Sequence, residues 1–229
     1  MLLISFLLFF QLMVRAEADG ESTTTGGNLY DPSAYPPSQT ALLFLDYQNI
    51  LMDMVPSPVN ETLVNAGIAL LAAARQNNVA ILHCIMDTTL DPAPTNKVTT
   101  TWASQFKPVF SANPQLGAEY APFARTANST SSETVFKRSP GIRSGLESEV
   151  VSYLRNQLGV KHLILGGIAT SGAIMGTMSH ATDINFVVTV VEDACWDPNE
   201  QVHSDLINTV IPSLAWVSSV EEAVGYMTA

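Results

Sequence analysis

Apolar runs and helix-like segments alternate along most of the chain. Runs without polar alternation indicate strands that are buried on both faces of a sheet. Such runs occupy residues 41–46, 79–84, 162–167 and 186–191. Helices are predicted over residues 59–77, 145–158, 170–183, 200–211 and 219–227. Strands that alternate with helices predict right-handed crossovers and an α/β fold, in which helices cover both sides of a parallel sheet.

Two segments depart from this alternation. Residues 19–40 are rich in Gly, Ser, Thr and Pro, which predicts a loose N-terminal arm before a domain that spans residues 41–229. Residues 87–135 carry many Pro, Thr, Ser and Asn residues and scattered aromatic side chains. A long irregular insertion of this kind forms either a lid or pocket wall, or a surface excursion that its own aromatic residues hold in place.

The first residues are typical of a targeting segment. Residues 2–14 are apolar at all but two positions, and this run is shorter than the roughly 20 residues needed to cross a membrane. Small residues at Ala16 and Ala18 then predict a secretory signal peptide over residues 1–18, with cleavage after Ala18. No basic residue precedes the apolar run, so an uncleaved anchor or an incorrect gene start stays open. A secreted chain would expose the glycosylation sequons at Asn60 and Asn128.

Charge and cysteine content exclude several classes of function. The 229 residues include 10 Lys and Arg against 21 Asp and Glu, a net charge of −11. This balance argues against nucleic-acid binding, and against docking on an anionic membrane after signal cleavage. Cys84 and Cys195 are the two cysteines, and their wide separation forms neither a zinc motif nor a disulfide framework. The expected partner is a small-molecule substrate, with a homo-oligomer possible.

Residues with useful chemistry follow three of the predicted strands, where open parallel sheets bind ligands. Asp46 closes the first run, where partial burial would raise its pKa and suit it to proton transfer, although a helix-capping role is also common there. Lys137 ends a short run at 133–137, placed either to pair with Asp46 and stabilise negative charge or to be solvated. The small residues of 166–173 would point helix-terminal amides at an anion.

In this order, the three segments resemble the isochorismatase-like superfamily of cysteine hydrolases. The resemblance spans residues 40–227 and is carried by residues 41–48, 135–137, 165–177 and 190–195. It implies a three-layer, Rossmann-like fold with a parallel sheet of about six strands. It also implies a cis peptide bond between Ile168 and Ala169, catalytic roles for Asp46 and Lys137, and an oxyanion site at the amides of Ala169 and Ala173. The implied substrate-binding residues are Gln48, Ile168, Ala169 and Thr170.

One position departs from the family pattern. The resemblance places the nucleophilic cysteine at residue 173, where this chain has alanine. A methyl group cannot form the thioester of the amidase branch, whereas a thiol at a helix N-terminus can. Vinyl-ether hydrolysis in the branch that lacks the cysteine requires only the Asp and Lys. The sequence therefore favours Asp- and Lys-dependent hydrolysis of a small acidic or amide substrate, and the alternative is a catalytically silent protein that keeps the pocket.

Neither a metal nor a cofactor is expected. The nicotinamidases of the superfamily bind a divalent metal through an Asp and paired histidines. In this chain His83 is followed by Cys84 and no second histidine lies beside it, so the residue is expected to pack in the core.

Overall fold

A computed structural model describes residues 28–125 and 133–228. The signal peptide predicted over residues 1–18 and the sequon at Asn128 lie outside these residues and stay predictions. Within the described ranges, no helix has both the length and the apolar character to cross a membrane.

Six parallel strands form one sheet. They are β1 (Thr40–Leu45), β2 (Ala80–Met86), β3 (Glu133–Arg138), β4 (His162–Ile168), β5 (Val187–Trp196) and β6 (Trp216–Ser218). Their order is β3-β2-β1-β4-β5-β6, and every pairing is parallel. The chain proceeds outward from β1 through β2 and β3, then returns to the other side of β1 with β4. This reversal opens a crevice at the carboxyl ends of β1 and β4, the position where such sheets bind ligands.

Helices cover both faces of the sheet, which confirms the three-layer α/β prediction. The helices on the two faces are α1 (Val59–Gln76), α2 (Ser148–Ser152), α3 (Met175–Asp183), α4 (Glu200–Asp205) and α5 (Val220–Thr228). Wide π-helical turns extend α2 and α4 at their C-terminal ends and α3 at its N-terminal end; these turns are Tyr153–Gln157, Leu206–Val210 and Thr170–Ile174.

The alternation of side chains along β1 divides the core into two clusters. Leu43 and Leu45 pack on the face that α2, α3 and α4 cover. Leu42 and Phe44 pack on the opposite face, against α1 and α5. Every residue of β1 is buried, and this explains why residues 41–45 form an unbroken apolar run.

A glycine allows β4 to approach β1 at the crevice. A Cβ atom on Gly167 would lie 2.2 Å from the carbonyl oxygen of Leu45, so no larger residue fits without moving the backbone. This close contact holds the turn after β4 beside the residue that follows β1.

The insertion is helical in part and packs against the end of β1. Its helical segments are Thr99–Thr101, Trp102–Phe106, Lys107–Ala112 and Pro114–Gly117. Phe123 is fully buried against the rings of Phe44 and Tyr47. The backbone N–H of Tyr120 donates to the carbonyl of Tyr47, and that of Asn49 donates to the carbonyl of Ala118. The aromatic residues therefore hold the second half of the insertion beside the candidate site.

The described part of the predicted arm contacts the domain. Residues 28–39 contain the 3₁₀ turns Pro32–Ala34 and Pro37–Gln39, and Pro32 is buried. The indole N–H of Trp216 donates to the carbonyl of Tyr30 at 3.0 Å, which attaches this part of the chain to β6 at one edge of the sheet.

His162 on β4 is a buried group that makes folding depend on pH. Its ring nitrogens lie 3.3 Å from the hydroxyl of Thr40 and 2.9 Å from that of Thr189. Burial lowers the pKa of His162 to about 4, from an ordinary value near 6.5, and the charge of Asp31 opposes this shift weakly. Between these values the unfolded chain binds more protons than the folded chain, so the free energy of unfolding falls as pH falls through this window.

We expect His162→Gln to remove part of that pH dependence. The wild type should lose up to about 3 kcal/mol through this histidine between pH 7 and pH 4. The variant should lose correspondingly less, because it has no imidazole to protonate. Urea unfolding of both proteins at a series of pH values measures the difference, and parallel curves over this range would show that His162 does not contribute.

Candidate active site

Asp46 follows β1 at the crevice and is almost completely buried. Its backbone has a left-handed φ of 56°, and its N–H donates to the carbonyl of Cys84 at 3.1 Å. The guanidinium of Arg138 donates to both carboxylate oxygens, from Nη1 to Oδ1 at 2.8 Å and from Nη2 to Oδ2. This two-point pairing fixes the orientation of the carboxylate.

The cation that we expected to pair with Asp46 was Lys137, and the structure instead places Arg138 there. Successive side chains of a strand point to opposite faces, so only one of these two neighbours can face Asp46. Arg138 is 5% exposed, whereas the side chain of Lys137 is exposed. A hydrogen bond from the hydroxyl of Thr89 lowers the pKa of Asp87, and the charge of Lys137 adds to that effect.

Arg138 is itself held in place by the protein. Its Nε donates to the carbonyl of Ile142 at 2.8 Å, and Nη1 also donates to the carbonyl of Cys84 at 3.2 Å. With the two bonds to Asp46, these contacts engage most of the five N–H groups of the guanidinium. Arg138 therefore positions Asp46 and has little capacity left to bind a substrate.

Burial and the charge of Arg138 have opposite effects on the pKa of Asp46. Burial raises the pKa of this carboxyl, while the charge and hydrogen bonds of Arg138 lower it, and the net shift is upward. A raised pKa makes a carboxyl group more effective as a proton donor near neutral pH.

The turn after β4 has the conformation that the resemblance implies. The peptide bond between Ile168 and Ala169 is cis, which confirms the prediction. Thr170 is fully buried, and its hydroxyl lies 2.8 Å from Nδ1 of His203. The carboxylate of Asp197 accepts hydrogen bonds from the backbone N–H and the hydroxyl of Ser171, at 2.9 and 2.6 Å. Sequence reasoning missed His203 and Asp197, which come from the segment after β5.

Ala173 lies in the first turn of the helical segment that continues into α3. It is 4% exposed and belongs to the same apolar cluster as Leu45 and Cys195. Burial raises the pKa of the two native cysteines, Cys84 and Cys195, to about 12. Both therefore stay protonated at neutral pH and are poor nucleophiles.

Gln48 was expected to bind substrate, but its side-chain amide is hydrogen-bonded to backbone atoms of the protein. Its Nε2 donates to the carbonyls of Met86 and Gly117 at 3.0 and 2.6 Å, and its Oε1 accepts from the N–H of Met86 at 3.1 Å. The side chain is fully buried and joins the ends of β1 and β2 to the insertion.

The surface beside the site is open to solvent. An open depression of about 190 Å³, solvent included, lies between the end of β3 and the start of α2. Its lining residues are Cys84, Phe136, Lys137, Arg138, Gly145, Glu147, Glu149 and Val150. In residues 28–125 and 133–228, no cluster of three or more His, Cys, Asp or Glu side chains is placed to hold a metal ion.

Comparison with known proteins assigns this chain and its fold to one family. The model of the isochorismatase domain matches residues 40–222. An uncharacterized isochorismatase family protein of Escherichia coli O157:H7, YecD, is 33% identical over 88 residues, which are 38% of this chain and 45% of that protein. The chain therefore matches less than half the length of this curated relative.

Solved structures show the same fold. An isochorismatase family protein from Burkholderia thailandensis superposes with a TM-score of 0.64 at 18% identity, over 84% of this chain and 97% of that one. A cysteine hydrolase from Pseudomonas syringae pv. phaseolicola gives a TM-score of 0.70 at 16% identity, over 84% and 94%. Because the domain model spans most of the sequence and the fold agrees, this protein belongs to the isochorismatase family.

Proposed function

We propose that this protein hydrolyses a small vinyl ether without a covalent intermediate, with Asp46 as the proton donor. The observation that carries the proposal is the buried Asp46–Arg138 pair at the crevice. The resemblance assigns the family's nucleophile to position 173, where this chain has alanine. Amide hydrolysis through a thioester needs a thiolate at that position, and a methyl group excludes it.

In the proposed reaction Asp46 donates a proton and regains one before the reaction ends. Protonated Asp46 gives its proton to the terminal carbon of the enol ether, which leaves a positive charge on the carbon bonded to oxygen. Water adds to that carbon and returns a proton to the Asp46 carboxylate, and the resulting hemiketal collapses to an alcohol and a carbonyl compound. The raised pKa of Asp46 supports the donor step, and Arg138 stabilises the carboxylate that this step creates.

The proposal also assigns roles to Ala169, Ala173 and Lys137. Backbone amides of Ala169 and Ala173 would face the substrate from the turn after β4. Lys137 would act only at the rim, because its side chain is exposed and Arg138 takes its expected place beside Asp46.

A second candidate function is a catalytically silent protein that binds a small molecule at the same crevice. The favouring observation is that both carboxylate oxygens of Asp46 accept hydrogen bonds from Arg138. A carboxylate engaged in this way is a stable structural element, which a binding protein would retain without using its acidity.

Turnover and binding of small enol ethers distinguish the two candidates. The wild type should hydrolyse a carboxylated enol ether about 100-fold or more faster than Asp46→Asn, since general acid catalysis contributes at least that factor. Asp53→Asn, at an exposed aspartate near the same loop, is the control and should keep wild-type turnover. Equal turnover in wild type and Asp46→Asn contradicts the proposed role, whereas calorimetric binding without turnover supports the silent protein.

A further inference from the structure

A second buried charged cluster lies on the α1 face of the sheet, apart from the Asp46–Arg138 pair. His83 of β2 has a fully buried side chain. Its Nδ1 lies 2.6 Å from Oε1 of Glu119 in the insertion, and its Nε2 lies 3.0 Å from Oε1 of Glu133 in β3. Arg75 of α1 donates two hydrogen bonds to Glu133, at 3.2 and 2.8 Å.

Counting hydrogen-bond donors fixes the number of protons in this cluster. A neutral imidazole has one N–H and one acceptor nitrogen, whereas an ionised carboxylate only accepts. Two contacts from one ring to two carboxylates therefore require either a doubly protonated ring or a protonated glutamate. The bidentate bonds from Arg75 favour the ionised form of Glu133, so the additional proton lies between His83 and Glu119.

The balance of charges in the cluster indicates that His83, and not Glu119, carries the additional proton. With an imidazolium at His83, two positive groups alternate with two negative ones, from Arg75 through Glu133 and His83 to Glu119. Every charge then has a hydrogen-bonded partner of opposite sign, which is the condition under which buried charges are tolerated. The apolar ring of Phe44 also lies beside His83, with 6.1 Å between the two ring centroids.

The cluster connects the insertion to the residues beside Asp46. Glu119 forms an antiparallel bridge with Gln48, and the hydrogen bonds of Ala118 and Tyr120 to the backbone at Asn49 and Tyr47 lie on either side of it. We propose that His83 is held as an imidazolium and acts as an electrostatic latch, which fixes residues 117–120 of the insertion against the end of β1. The latch is independent of the reaction proposed for Asp46, because it concerns the placement of the segment and involves no substrate.

The charge on His83 is measured directly by ¹⁵N NMR of the histidine rings at neutral pH. Both ring nitrogens of His83 should show the shifts of a protonated imidazolium. His162, which is equally buried but lies between two hydroxyl groups, is the internal control and should show one protonated and one bare nitrogen. A bare nitrogen on His83 would place the proton on Glu119 and overturn the proposal.

Hydrogen exchange tests whether the charge holds the insertion. Glu119→Gln keeps the size and an acceptor oxygen but removes the charge, so the amides of Tyr120 and Asn49 should exchange about tenfold or more faster. Amides of β4 should exchange as in the wild type. Glu61→Gln, at an exposed glutamate of α1, is the matched control and should change neither region. Unchanged exchange at Tyr120 and Asn49 in Glu119→Gln would show that no latch operates.

Discussion

Replacing Arg138 with methionine should lower the free energy of unfolding by about 3–5 kcal/mol at neutral pH, the usual cost of breaking a buried ion pair from one side. The variant leaves the Asp46 carboxylate buried without its partner, and it also leaves the carbonyl of Ile142 without the Nε donor. Methionine retains most of the length of the arginine stem, so the loss reports on the charge more than on packing.

The loss in Arg138→Met should be smaller in acid. Without the arginine, only the backbone hydrogen bond of Met86 opposes the burial that raises the pKa of Asp46, so this pKa rises further. A carboxyl whose folded pKa lies above its unfolded value binds more protons in the folded state. The free energy of unfolding therefore falls as pH rises from the unfolded value, near 4, through the folded one.

Lys137→Met is the matched control for this experiment. The two cations are neighbours in β3, but the lysine side chain is exposed, so its loss should change the free energy of unfolding by no more than about 0.5 kcal/mol. Urea unfolding of both variants at acid and neutral pH measures the contrast. Adding Asp46→Asn to Arg138→Met should restore part of the loss at neutral pH, because it removes the unpaired charge. Similar losses in the two single variants would contradict the pairing of Asp46 with Arg138.

The sequence does not reveal which cation of β3 pairs with Asp46, because that depends on the register of the strand. The apolar runs predicted the central strands because burial on both faces removes polar alternation, and Asp46 was placed correctly at the end of β1. Lys137 and Arg138 both end the same strand, and their order along the chain does not say which of them faces inward. A shift of one residue exchanges the faces of a strand, so only the pairing of β3 with β2 decides the matter.

Contacts between distant segments account for most of what the sequence did not predict. Gln48 has the polar side chain of a substrate ligand, yet its bonds go to backbone atoms of β2 and of the insertion. His83 was expected to be a packed core residue, and it is buried as expected, but its partner Glu119 lies in an irregular segment without periodicity. Strand β6 has only three residues, which is too short for a hydrophobic pattern to be recognised.

Replacing Ala173 with cysteine should produce a thiol far more reactive than those of the two native cysteines. In Ala173→Cys the sulfur would occupy the first turn of the helical segment that continues into α3, where the helix dipole lowers a thiol pKa. The surrounding apolar cluster acts in the opposite direction, because burial disfavours the thiolate. The prediction is that the helix terminus outweighs burial.

Ala181→Cys separates these two effects. Ala181 is fully buried in the same apolar cluster and belongs to α3, but it lies near the C-terminal end of the helix. The two variants therefore share burial and differ in their position along the helix dipole. Iodoacetamide should modify Ala173→Cys about tenfold or more faster than Ala181→Cys near neutral pH, corresponding to at least one unit of difference in thiol pKa. The wild type, whose Cys84 and Cys195 have pKa values of about 12, supplies the background rate.

The Ala173→Cys variant also tests whether an activated thiol at this position leads to amide hydrolysis. The proposed oxyanion site consists of the backbone amides at positions 169 and 173, which the change of side chain leaves in place. An activated thiolate beside them should give Ala173→Cys some activity on simple amides that the wild type lacks. Asp46→Asn in that background should remove the amidase activity, because the leaving amine then has no proton donor. Alkylation is the decisive measurement, since it does not depend on the choice of amide. An introduced thiol that reacts no faster than free cysteine would show that this crevice does not activate a nucleophile.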